Sequence, residues 1–126
     1  MRRTSKEFIE EKMKEVSEHT AKCVSKDIQY PKTKKHWIIE SRTMMVQSET
    51  NDEKILVVER MKFEKATGQV LRETKKGSIQ YRLGYFIVGK NGKKADKWIW
   101  GQYNPTIPET DFEKLLELAR KEKTIK

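Results

Sequence analysis

The chain has 126 residues, 35% hydrophobic and 37% charged, and 28 Lys and Arg against 19 Asp and Glu leave a net charge of +9. A length of this order accommodates one domain, residues 1–126, with enough apolar surface to fold without staples. The lone Cys23 excludes an internal disulfide or a Cys-based zinc site within one chain and fits a reducing compartment. No run approaches the about 18 apolar residues that a membrane span needs, and no apolar stretch follows the arginines of MRRTSKEF, so the expectation is a cytoplasmic protein with no membrane partner.

The opening residues predict a helix. Thr4 and Glu7 have capping-box spacing, in which the hydroxyl accepts from an orphan amide and the carboxylate reaches back to the cap's own N–H. Ile9, Met13, Val16, Thr20 and Cys23 follow at steps of four and three, with Phe8 and Val24 widening the stripe. The helix therefore extends through Val24 and is ended by Pro31. A basic connector, Lys32 to Lys35, leads to a strand from Trp37 to Gln47. There Trp37, Ile39, Thr43 and Met45 alternate with Ile38, Glu40, Arg42, Met44 and Val46, so neither face is purely polar.

Thr50, Asn51 and Asp52 supply turn chemistry before a second strand from Lys54 to Lys65. Ile55, Val57, Met61 and Phe63 share a face of that strand with Glu59, a carboxylate that is costly in an apolar row unless a partner answers it. Gly68 marks a turn, and Gln69 to Thr74 fit a short returning strand.

The next strand is the most regular in the chain. Ile79, Tyr81, Leu83, Tyr85 and Ile87 line one side; Ser78, Gln80, Arg82 and Gly84 line the other until Phe86 and Val88 turn it apolar. Asn91-Gly92 marks a reversal inside a connection from Gly89 to Lys97. Trp98, Trp100 and Gln102 then face opposite Ile99, Gly101 and Tyr103. The last element is a helix starting near Pro108 to Asp111, with competing capping boxes at Thr106/Glu109 and Thr110/Glu113, a staple from Ile107 to Phe112, and frayed final residues. Its apolar face is Phe112, Leu115, Leu116 and Ala119. The whole reads as an α+β fold: a four- to five-stranded antiparallel meander sheet with N-terminal and C-terminal helices packed on one face.

The catalytic inventory is thin and points away from an enzyme. His19 lies beside the helical stripe, His36 precedes a strand and Cys23 falls on the buried stripe, so all three read as structural or solvated. No HExxH, paired CxxC or Asp-rich calcium loop occurs, so no metal and no cofactor is expected. The turn GKNGKK lacks P-loop spacing and joins two strands, where a phosphate loop would lead into a helix.

What stands out is the basic, aromatic hairpin. Residues 76–104 hold six Lys and Arg and one Asp, over half of the net charge, and six of the eleven aromatics lie between Tyr81 and Tyr103. Cations displace phosphate counterions, and aromatic faces stack on unpaired bases. The leading expectation is thus a non-catalytic nucleic-acid-binding protein preferring single strands, with Arg82, Lys90, Lys93, Lys94 and Lys97 on the backbone and Trp98, Trp100 and Tyr103 on bases. The structural alternative for the same residues is a core beneath helices and a solvated Lys-rich turn. Two rival readings stand beside it. One is a module for a protein partner or a homodimer, using the aromatic sheet face or an exposed strand edge. The other is a small-ligand pocket on a curved sheet around Glu59, Tyr81 and Tyr85, with burial raising the carboxyl pKa.

Overall fold

The computed structural model describes residues 2–26, 32–68 and 75–126. Helix α1 (Ser5–Ser17) leads into strands β1 (Lys22–Lys26), β2 (Lys34–Val46), β3 (Lys54–Thr67), β4 (Ile79–Val88) and β5 (Trp98–Trp100), and helix α2 (Glu109–Lys121) closes the chain. The strands form one antiparallel sheet in sequential order β1-β2-β3-β4-β5. The class is α+β, and the sheet is curled. The short strand expected at 69–74 and the helix stop expected at Pro31 lie outside the described residues.

Helix α1 begins as its sequence dictates: Glu7 N–H donates to the Thr4 hydroxyl at 3.1 Å and Thr4 N–H to the Glu7 carboxylate at 3.0 Å. It ends earlier than the stripe predicts. His19 adopts φ 59°, and Thr20 N–H bonds to Glu15 C=O while His19 N–H bonds to Val16 C=O, a Schellman ending with His where Gly is usual. Residues Lys22–Lys26 then form an edge strand on β2, with Cys23 opposite Trp37. Thr20, Cys23 and Val24 therefore continue the helical spacing without continuing the helix. Pairing with β2 outweighs a helical pattern that has no strong stop residue in it.

Two irregularities reconcile β2 with a buried face. The pairing of β2 with β3 shifts between Ile39 and Ser41, and again between His36 and Trp37. The first shift, at Glu40, puts odd-numbered Trp37 and Ile39 on the same face as even-numbered Arg42, Met44 and Val46, because an extra residue reverses the alternation. That face joins two apolar clusters. Phe8, Met44, Ile55, Val57, Phe86, Val88 and Trp98 form one beneath α1; Ala21, Trp37, Ile39, Met61 and Phe63 form the other, with Val16 packed against it.

The opposite face carries a third cluster of Leu56, Val58, Tyr85 and Leu115, joined by Met45, Ile87, Ile107 and Ile125. The two helices, expected together on one face, thus take one face each. The cause is legible in β3: Ile55 to Val58 are all buried, so the strand needs cover on both sides.

Helix α2 starts at Pro108 without a side-chain cap, and neither expected capping box forms there. Its third residue, Asp111, instead accepts from the Ser48 N–H and hydroxyl, at 3.2 and 2.7 Å, which ties the helix to the β2–β3 turn. The end does not fray. Lys123 takes φ 63° in a second Schellman ending, and Thr124 becomes fully buried, sharing hydroxyl bonds with Ser41 (2.6 Å) and Thr43 (2.8 Å).

Candidate binding surfaces

Glu59 finds two partners, both supplied by register. Arg42 on β2 and Arg82 on β4 are its direct cross-strand neighbours. One carboxylate oxygen accepts from Arg42 Nε and the other from Arg82 Nε, each at 2.7 Å. Arg42 Nη1 also donates to the Lys12 carbonyl at 2.9 Å, binding the sheet to α1. The Arg82 guanidinium lies over the Trp100 ring, 4.4 Å from its centroid. This occupied carboxylate sits between the two apolar clusters of the α1 face. Tyr81 and Tyr85 pair with Arg60 and Leu56 and belong to the other face, so the pocket expected from Glu59, Tyr81 and Tyr85 is not assembled.

The expected nucleic-acid residues are divided in the same way. Trp98 is core: its ring stacks on Phe8 at 5.4 Å and its Nε1–H donates to the Arg3 carbonyl at 2.8 Å. Trp100 is half-buried, edge-on to Phe86 and beneath Arg82. It fits there because Gly84 opposes it; a Cβ on Gly84 would lie 2.2 Å from the indole. Gly101 does the same for Tyr85, whose ring a Cβ would meet at 2.0 Å. Neighbouring strands thus exchange a glycine for an aromatic, which a single-strand reading does not reveal.

Lys90 donates to Glu53 at 2.7 Å, and Arg2 reaches the same carboxylate at 3.1 Å. Bonding to Lys90 holds the Glu53 carboxyl below its ordinary range. Lys93 and Lys94 lie in a 3-10 turn, Gly92–Lys94, and Lys97 follows; all three are exposed. Asn91 is extended there, at φ −132°, and Gly92 takes the left-handed conformation, at φ 65°. Tyr103 is 81% exposed, and its N–H donates to the Tyr85 hydroxyl at 3.3 Å.

The α2 face holds two clefts. One, about 290 Å³, is lined by Tyr85, Ile87, Lys94, Ile99, Trp100, Gln102 and Tyr103. Of the eight expected nucleic-acid residues it brings together Lys94, Trp100 and Tyr103. The other, about 260 Å³, is apolar and lies between β4 and α2, with Tyr81, Leu83, Phe112, Leu116 and Ile125 on its walls. Sequence reading assigned Leu83, Phe112 and Leu116 to buried rows. The signal for their exposure is the length of the tyrosine row, which outruns the apolar face of a helix of three to four turns.

Cys23 is packed against the second cluster with its sulfur 3.5 Å from that of Met61, and burial pushes its thiol pKa up, away from thiolate chemistry. Among the described residues no group of three or more His, Cys, Asp or Glu is placed to hold a metal, and no helix is long and apolar enough to cross a membrane. Comparison with family models, curated proteins and solved structures finds no match to this chain.

Proposed function

We propose that the protein binds single-stranded nucleic acid without catalysis, through the cleft that brings Lys94 and Tyr103 together. The observation that carries this reading is the exposed Tyr103 ring standing beside a 290 Å³ cleft with Lys94 on its wall. An aromatic face free of protein neighbours offers stacking to any unpaired base, and lysines without a carboxylate partner offer counterion release. Lys93 and Lys97, exposed beside Lys94, extend the cationic lip. Trp98 leaves the set because its ring is core, and Arg82 and Lys90 leave it because Glu59 and Glu53 already answer their charge.

Titration with single-stranded oligonucleotides, followed by tryptophan fluorescence at two salt concentrations, tests this. Trp100 borders the cleft while its indole packs against Phe86 on the other face, so anisotropy of a labelled oligonucleotide is read beside its emission. Binding weakens as salt rises; Tyr103→Ala costs about 1–3 kcal/mol of affinity, and Lys94→Ala lowers the salt slope by about one ion. No salt-dependent binding to any single strand overturns the reading.

A further inference from the structure

Among the described residues, the meander leaves one edge of the sheet unpaired beside an apolar cleft. Strand β5 covers β4 only at Phe86, Ile87 and Val88. Gly101 N–H makes one more bond, to Tyr85 C=O at 2.7 Å. Beyond it the chain turns across the α2 face, where Ile107 joins the third cluster. Among the described residues, no strand pairs with the outer edge of β4 from Ile79 to Leu83.

Ladder alternation identifies the polar groups on that edge. Phe63 N–H bonds to Ser78 C=O and Val88 N–H to Glu53 C=O, so even-numbered residues of β4 turn their backbone groups toward β3. Odd-numbered residues turn theirs outward, as the Tyr85 carbonyl does. Ile79, Tyr81 and Leu83 therefore present three donor–acceptor pairs to an empty edge. Their side chains point to the α2 face, where Tyr81, Leu83 and Phe112 are 47%, 42% and 38% exposed around the 260 Å³ cleft.

Natural sheets guard such edges with lysines, prolines or bulges. The other edge is guarded in this way, since β1 reads KCVSK and is five residues long. The stretch Ile79-Gln80-Tyr81-Arg82-Leu83 carries no guard, and its one charge is already bonded to Glu59.

We infer that this edge is an interface with a second copy of the chain, β4 pairing antiparallel with β4 about a two-fold axis through Tyr81. The register is self-complementary. Tyr81 meets Tyr81, Ile79 meets Leu83 on the α2 face, and Gln80 meets Arg82 on the α1 face, where the amide oxygen answers a guanidinium already neutralised by its own carboxylate. The same axis sets the two α2 helices antiparallel on one continuous face. The acidic first turn of one, with Glu109, then opposes the basic last turn of the other, with Arg120 and Lys121. The axis is perpendicular to the sheet, so the two apolar clefts open on the same face of the joined sheet, one on each side of the seam, and the interface is isologous and closed.

Light scattering across a concentration series at two salt concentrations, with amide hydrogen exchange on the same samples, tests the inference. The expected result is the mass of two chains at high protein concentration, favoured by salt because two basic bodies repel less when screened. That salt dependence is opposite in sign to nucleic-acid binding, so the two proposals stand or fall separately. Exchange at Tyr81 and Leu83 slows as the dimer forms. Leu83→Lys places a charge in the apolar seam, and Tyr81→Pro deletes an outward N–H while sparing the β3 ladder; both yield the mass of one chain with unchanged circular dichroism. A wild-type monomer at every concentration and salt overturns the inference and leaves the edge to a foreign strand. So does a dimer that survives both substitutions. If the variants do not fold, exchange in the wild-type protein decides, and rates at Tyr81 and Leu83 that ignore concentration overturn it.

Discussion

The two helices have 13 residues each, yet they finish their faces of the sheet differently. A helix of that length covers a strip about 20 Å long and about 10 Å wide, whereas the 14 residues of β3 run for about 46 Å, so neither helix alone covers the sheet. On the α1 side the deficit is made up by other residues. Trp98 stacks on Phe8 of the helix, Trp100 fills the space above Gly84, and Glu59 is closed over by two arginines. On the α2 side Ile107 and Ile125 extend the cover only in part. Leu115 seals Leu56, Val58 and Tyr85, and the rest of the tyrosine row lines open clefts. The α1 face is therefore the more completely packed of the two, and the α2 face carries the open clefts.

That contrast can be broken by mutation. Glu59→Ala has the largest expected effect. It strands two guanidiniums, and Arg42, at 5% exposure, has no route to water, so the loss is about 3–5 kcal/mol by urea unfolding. A loss under about 1 kcal/mol, the range of a surface pair, would mean that the network is not the keystone of its face. Leu115→Ala removes the largest fully buried side chain of α2 and is expected to cost roughly 3 kcal/mol. Its near equality with a core position on the other face would show that α2 is firmly docked despite the clefts beside it.

Gly84→Ala probes packing above the α1 face. The new methyl meets the Trp100 ring, and displacing that ring costs about 1–3 kcal/mol with a shift in tryptophan emission. Phe112→Ser, on the cleft wall of the α2 face, is expected to stay within about 0.5 kcal/mol of wild type. A larger loss would show that the cleft is part of the core.

The smallest effect is a pH dependence at the start of α1. Asp52 accepts from the Ser5 hydroxyl and, at 3.2 Å, from the Ser5 N–H, and chiefly the hydroxyl bond holds its carboxyl below the ordinary value. A folded pKa below the unfolded one contributes stability above the unfolded value, and that contribution is lost as pH falls through the folded value. Thermal midpoints therefore decline more steeply in acid for the wild type than for Ser5→Ala. Parallel curves would remove Asp52 from the docking of α1.

Much of the architecture is written locally. The Thr4 capping box, the alternation of β4 and the start of β3 follow from hydrogen-bond chemistry and period, which act within a few residues. The end of α1 was not legible, because His19 takes the left-handed conformation that glycine usually announces. The candidate site was legible in part. The Lys-rich turn and Tyr103 stand where an exposed hairpin puts them, whereas the fates of Trp98 and Trp100 depended on Phe8, Phe86 and Gly84, which lie far away in sequence.

The sequence by itself determined strands β2 to β5, the helix starts and a carboxylate in need of a partner. Only the tertiary structure decided which faces coincide. Cross-strand register, altered by the bulge at Glu40, set Arg42 and Arg82 beside Glu59 and sent the tyrosine row to the opposite side. A one-residue change of register exchanges the two faces of a strand, and no pattern within one strand states its register against the next.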